Sequence, residues 1–258
     1  MNRIPLLRYS LAITTAAVVL GSAGVGTTAA VALGFSVPKT QNYDYSVDHE
    51  IDGSQLTVTT GFAHLTFVPS PDDSLHVRAH GIYRGDRPTV DIGSDGSTVS
   101  VECSYDKYGS CDADVELQIP TDLTLTVDGT NGDVVLSDVD ADVTVSTASG
   151  SVFARGSAGM LRVDTRFGDV KISDATANAV DVNSTFGEIT VESRTAPGSV
   201  KARNVIGDIT IGLPPADSYA VDAASEKGEV MVDVINDPRS PKLVSATSEE
   251  GQVEVRAR

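Results

Sequence analysis

The sequence predicts an all-β protein, a β-solenoid made of stacked short two-strand rungs and preceded by an N-terminal signal or transmembrane helix. Three observations carry this expectation. A twelve-residue unit, apolar-x-apolar-x4-Gly-acid/small-apolar-x-apolar, recurs seven times between Leu125 and Val255 without changing length. Its apolar positions are rich in Val and Ile and fall at every second residue, the pattern of a strand with one buried face. Ahead of the repeats, Arg3 and Arg8 precede a stretch free of charge from Tyr9 to Pro38.

The N-terminal segment, residues 1–35, reads as an export signal. It is either cleaved, with Ala30-Val31-Ala32 as an A-x-A site, or retained as an anchor spanning the bilayer. Both cases leave the arginines inside and the remainder outside the cytoplasmic membrane. No cysteine follows the apolar run, which speaks against a lipoprotein anchor.

Residues 36–124 form an irregular first part of the stack. Tyr43–Val47 alternates as a strand, and Leu56, Val58, Leu65 and Phe67 make a degenerate copy of the repeat with Ala63 in place of glycine, so the stack is expected to start there. Leu75–Val77, Thr98–Val101 and Val115–Ile119 are expected to continue it, with Pro69, Pro71 and Pro88 in the loops. Cys103 and Cys111 flank a short loop, and an even cysteine count in an exported chain predicts a disulfide between neighbouring strands. A metal site is the weaker alternative, since two thiols need further ligands and no His lies between them.

Residues 125–258 are the regular array. The turn glycines are Gly132, Gly150, Gly168, Gly187, Gly207, Gly228 and Gly251, expected for their tolerance of positive φ. Three residues before them stand Thr147, Thr165, Ser184, Asn204, Ser225 and Ser248, which alternation turns inward as a ladder of small polar groups about 4.8 Å apart. The segment joining one core to the next grows from six residues (Ser137–Asp142) to eleven (Asp233–Leu243), confining variation to one edge. Such loops are either tolerated insertions or a binding surface, with Asp217 and Arg239 as its contact residues.

Few groups suggest chemistry. His64, His76 and His80 could approach one another as zinc ligands, but nothing in their spacing fixes the distances. Asp133, Asp169, Glu188, Asp208 and Glu229 follow the glycines and would form a column of like charge, solvated or bridged by a cation. Phe167, Phe186 and Ile206 precede three successive glycines, as a filled corner of the core or as an exposed recognition stripe. No acid/base group recurs as a polysaccharide-cleaving cleft would require, so neither catalysis nor a cofactor is expected. The net charge of −17 disfavours nucleic acid as a partner.

The alternation around TNGDVVL, TRFGDVKI, STFGEITV and VIGDITI, after the lead-in LQIP-x2-LTLTV, resembles the adhesin-like β-strand-repeat domain family of bacterial envelope proteins, a family of unknown function. The resemblance spans most of residues 40–258 and implies a right-handed β-solenoid and an envelope location, with no catalytic residues to carry over. The Cys103–Cys111 loop and the lengthening edge loops depart from it. The expected function is a non-enzymatic extracytoplasmic module presenting a rigid surface to an envelope protein or cell-wall glycan. An envelope-stress component acting through a membrane partner and a polysaccharide-active enzyme are the alternatives.

Overall fold

The structure is a computed structural model that describes residues 39–103 and 110–258. The expected N-terminal helix and the interior of the cysteine loop lie outside the described residues. Among the described residues every regular element is a strand, and no helix is long and apolar enough to cross a membrane.

The irregular part supplies β1 (Gln41–His49), β2 (Gln55–Pro69), β3 (Leu75–Arg84), β4 (Thr89–Ile92), β5 (Thr98–Glu102) and β6 (Ser110–Ile119). Each repeat then supplies an arm before its glycine and an arm after it. The first five are β7 (Thr124–Asn131) with β8 (Val134–Ser137), β9 (Asp142–Ser149) with β10 (Val152–Arg155), β11 (Leu161–Phe167) with β12 (Val170–Ala175), β13 (Ala179–Phe186) with β14 (Ile189–Ser193), and β15 (Ser199–Ile206) with β16 (Ile209–Leu213). The sixth is β17 (Ser218–Ser225) with β18 (Val230–Asp233), followed by the short β19 (Ile235–Asn236), and the seventh is β20 (Leu243–Glu250) with β21 (Val253–Ala257).

First arms stack in one sheet and second arms in another, each residue opposite its equivalent in the next copy. Val143 faces Leu161, Leu161 faces Val180, and Val180 faces Val200 in unbroken parallel register. The alternation therefore places apolar side chains in columns between the sheets, and Val145, Val163, Val182 and Ala202 are fully buried. Burying one such Val contributes about 1.5–3 kcal/mol, which a single two-strand unit could not collect alone in water.

The layers do not follow chain order at either end, contrary to the simple succession expected from the repeat. β2 does not begin the stack. Its first half lies between β5 and β7 in one sheet, and its second half lies between β6 and β8 in the other. The chain thus lays down β2, builds β3 to β6 outward on one side, and returns to add β7 on the other. Beyond β6 lie β3 and then β1, and beyond β5 lies β4, all antiparallel to their neighbours.

At the opposite end β20 lies between β15 and β17, and β21 lies between β16 and β18. The seventh copy therefore sits inside the sixth. Strand alternation fixes which face of an arm is buried but leaves open which equivalent arm lies beside it, so the sequence pattern was silent on this exchange. The exchange also gives the longest connections a reason. The segments β16–β17 and β18–β20 must step out past one layer and back, about 9.6 Å each way, so their length follows from topology.

Candidate functional site

In six of the seven repeats the chain passes from one sheet to the other within two residues, and in the sixth copy within four, and the corners stack as closely as the strands. The glycine column is imposed by this approach. A Cβ on Gly187 would stand 2.3 Å from the Gly168 carbonyl oxygen, and one on Gly251 would stand 2.0 Å from that of Gly207. Positive φ, the expected reason, holds for five of the seven repeat glycines but not for Gly228 and Gly251, where contact with the neighbouring backbone alone excludes a side chain.

Of the polar residues three positions before the glycines, Thr147, Thr165, Ser184, Asn204 and Ser248 are buried and Ser225 is half-buried; of the expected bonds, to one another and to turn backbone, three of them make the second kind, to a glycine carbonyl of the adjoining layer. Asn204 Nδ2 donates to Gly187 O at 2.5 Å, Ser248 Oγ to Gly207 O at 3.0 Å, and Ser225 Oγ to Gly251 O at 2.7 Å. The hydroxyls of Thr165 and Ser184, equally buried, find no partner.

Three of the five acids after the glycines, Asp133, Asp169 and Asp208, accept a hydrogen bond from a post-glycine amide of an adjoining layer, a task that neither solvation nor a bridging cation anticipated. Ser151 N donates to Asp133 Oδ1 at 2.8 Å, Glu188 N to Asp169 Oδ1 at 2.8 Å, and Gln252 N to Asp208 Oδ1 at 2.7 Å. Where the residue is Ser151 its hydroxyl accepts instead, from Asp169 N at 3.3 Å. Hydrogen bonds from backbone amides to a carboxylate are about twice as strong as neutral ones, which offsets the repulsion of stacked charges.

The residues just before the glycines point outward. Phe167, Phe186 and Ile206 are 49%, 39% and 41% exposed, so this stripe is an exposed surface and not a filled corner. The two rings stack in parallel with centroids 5.1 Å apart and 5° between planes. Phe167 lies beside Ser149 on one side, and Ile206 lies beside Glu250 on the other, so the stripe is a bounded apolar patch three layers long. Each ring thus turns one face along the stack onto the other ring.

The edge-loop residues lie at the far end of the stack. Asp217 is engaged with Lys242, which ties the β16–β17 segment to the segment before β20. Arg239 is almost wholly exposed and reaches back to Asp237 at 3.2 Å. Tyr219, fully buried, donates its hydroxyl to Pro214 O at 3.2 Å in the same corner, and burial pushes its pKa up to about 12. Asp217 and Tyr219 thus brace the layer exchange, and Arg239 alone projects from it.

The three histidines take different partners. His64 Nδ1 accepts from Asp133 N at 3.1 Å, His80 lies 3.7 Å from Asp114, and His76 is held between Asp48 and Asp72 at 2.6 and 2.7 Å. Among the described residues no group of His, Cys, Asp or Glu is placed to hold a metal ion. Cys103 and Cys111 form a disulfide with Cα atoms 5.6 Å apart. The sequence placed the bond at a tip loop between neighbouring strands; among the described residues β5 and β6 do not pair with each other but are the two arms of one layer. The bond therefore closes a corner at which β2 needs only Gly61 and Phe62.

These features define a β-solenoid of two-arm layers whose recurrent residues serve the stack itself. Residues 48–258 match the Toastrack DUF4097 family, and the chain belongs to it. A solved structure of a candidate adhesin from Bacteroides fragilis superposes with a TM-score of 0.51 at 16% identity, covering 84% of this chain and 97% of that one. A candidate cell-adhesion protein from Clostridium sporogenes matches with a TM-score of 0.37 at 10% identity, over 84% of this chain and 100% of that one. At these identities the likeness shows the fold alone. No curated protein matches the sequence.

Proposed function

We propose that this chain is a non-enzymatic, extracytoplasmic adhesin-like module that docks an envelope protein on the stripe of Phe167, Phe186 and Ile206. The observation that carries the reading is the exposed, parallel ring stack on a corner whose glycines are pressed against neighbouring backbone. A sugar ring binds an aromatic platform across its face, and here each ring turns one face to the other ring. Ring edges and an Ile side chain suit apolar side chains of a protein, which favours a protein over wall glycan. The names of the solved relatives support an adhesive role, and the disulfide suits an oxidising compartment outside the cytoplasm.

The test compares binding of the full chain to whole envelopes with that of the Phe167→Ser, Phe186→Ser double variant and of Arg239→Gln. The double variant should lose at least tenfold in affinity at an unchanged melting temperature, Arg239→Gln should bind like the parent, and envelopes stripped of protein by protease should bind neither. Undiminished binding to protease-treated envelopes would assign the surface to glycan, and loss with Arg239→Gln alone would move the contact to the edge loop.

A further inference from the structure

The two ends of the stack are built differently. At the β1/β4 end the outermost strands run antiparallel to their neighbours, and Tyr43 and Val90 close the core beneath them. The Arg87 guanidinium lies 5.5 Å over the Tyr43 ring, and the Asp52 amide donates to Asp95 O at 2.9 Å, joining the loops across the end. This end also carries the exposed acids Asp44, Asp48 and Asp91.

At the β17/β18 end the core stops in cross-section. Val230 and Val232 continue the columns of Val253 and Val255, which are fully buried, yet they are 43% and 40% exposed themselves. Val221 and Ala223 on the other arm are also only partly buried. The β19 segment covers part of the β17 edge, through its pairing with Ser218 and Tyr219 and the bond from Val221 N to Asn236 Oδ1 at 3.2 Å. Among the described residues β18 pairs with β21 alone, so one edge of it is open, and Met231 on its outer face is 48% exposed.

We propose that this open end is a self-association surface, through which a second copy of the chain joins tail to tail by pairing its own β18 antiparallel to this one. An exposed slice through a two-sheet core of Val columns calls for another slice with the same spacing, and the end of a second stack supplies it. The opposite end of a second copy does not fit. Its core is sealed, and its Asp44 and Asp48 would face Glu229 and Asp233, so head-to-tail growth is blocked and a closed two-fold pair remains. Pairing centred on Val230 places the two Val230 side chains together, so that column runs across the seam, while Val232 of each copy lies opposite Gly228 of the other. The same register sets Asp233 of each copy against Lys227 of the other, whose ammonium is bonded to Glu250 of its own chain and would be shared with the incoming carboxylate.

The test uses the full chain, whose two native cysteines are already bonded to each other. Val230→Cys should give a disulfide-linked dimer on non-reducing gels of intact cells, and Asp44→Cys should not. Sedimentation of the detergent-solubilised parent at matched detergent density should give twice the chain mass. Val232→Lys should return it to one chain mass with no drop in melting temperature, because that side chain is already half in solvent. A parent of single-chain mass, or a Val232→Lys variant that stays dimeric, overturns the proposal. Cross-linking of Val230→Cys to a different protein in place of a second copy overturns it equally, and assigns the edge to that partner. Since Phe167 and Phe186 lie layers away from β18, their variants should remain dimeric whether or not the stripe is a docking surface.

Discussion

Both ring nitrogens of His76 meet carboxylate oxygens, from Asp48 on β1 and Asp72 in the loop before β3. A neutral imidazole can donate from only one nitrogen, so the arrangement selects the doubly protonated ring. The hydrogen bonds that the ring donates to Asp48 and Asp72 hold its pKa above the ordinary value, and His76 in return holds the Asp72 carboxyl below the usual range. A raised histidine contributes stability that is fully present below its unfolded pKa of about 6.5 and is lost as pH rises through the folded value. A depressed aspartate contributes above its unfolded value and fades in acid, so the clamp is strongest between about pH 4 and 6.5. The melting temperature of the parent should therefore exceed that of His76→Gln most in this window, and the gap should close as pH rises toward 9. A gap that widens above neutral pH would show that the ring is neutral in the folded chain. With 72% of the Asp48 side chain and 58% of the Asp72 side chain in solvent, the effect is modest.

Among the elements, the corner between arms has the least tolerance. Gly187 sits at φ +136 and its Cβ would clash with the Gly168 carbonyl oxygen, whereas Gly53, at φ +142, has nothing within 4 Å of the same position. Gly53→Ala meets backbone strain alone, while Gly187→Ala meets strain and a collision that would push two layers apart. The second should cost clearly more than the first, which itself should exceed about 1 kcal/mol; equal denaturation midpoints would refute the close stacking of corners. Val145, Val163, Ile172 and Ile211 were legible as core because alternation fixes the buried face, and the glycines were legible as turns because they recur. Three things were not. The carboxylates of Asp133 and Asp169 looked like a charge column because the amides that use them belong to other layers. The exposure of Phe167 and Phe186 could not be told from burial, since the residue before the glycine breaks the alternation. The length of the β18–β20 segment read as a surface loop because the layer it steps over comes later in the chain. Met231 between Val230 and Val232 was the available hint, an apolar residue on both faces of one arm.

In the molecule as a whole, the C-terminal strand is an interior layer. Ile209 N donates to Gln252 O at 2.8 Å and Val253 N donates to Glu229 O at 2.9 Å, so β21 is bonded on both edges. Beyond these bonds, Arg256 and Arg258 reach back to Glu192 and Asp174, and Arg258 holds the Asp174 carboxyl below the usual range. Deleting residues 252–258 removes the buried Val253 and Val255, about 3–6 kcal/mol of apolar burial, and leaves β18 with nothing to pair with. Limited proteolysis of this truncated chain should cut throughout 213–251 while sparing 124–206; cleavage confined to the new C-terminus would mean that β18 had closed directly onto β16. The same interleaving bears on how the protein is made. Layers β7 to β16 can join one another as they emerge, each on the one before. The sixth copy then emerges with its place in the stack still missing its neighbour, and waits until residues 243–257 follow it. A chain cut short of Val253 therefore cannot settle its sixth copy, because the layer that copy leans on has not yet been made.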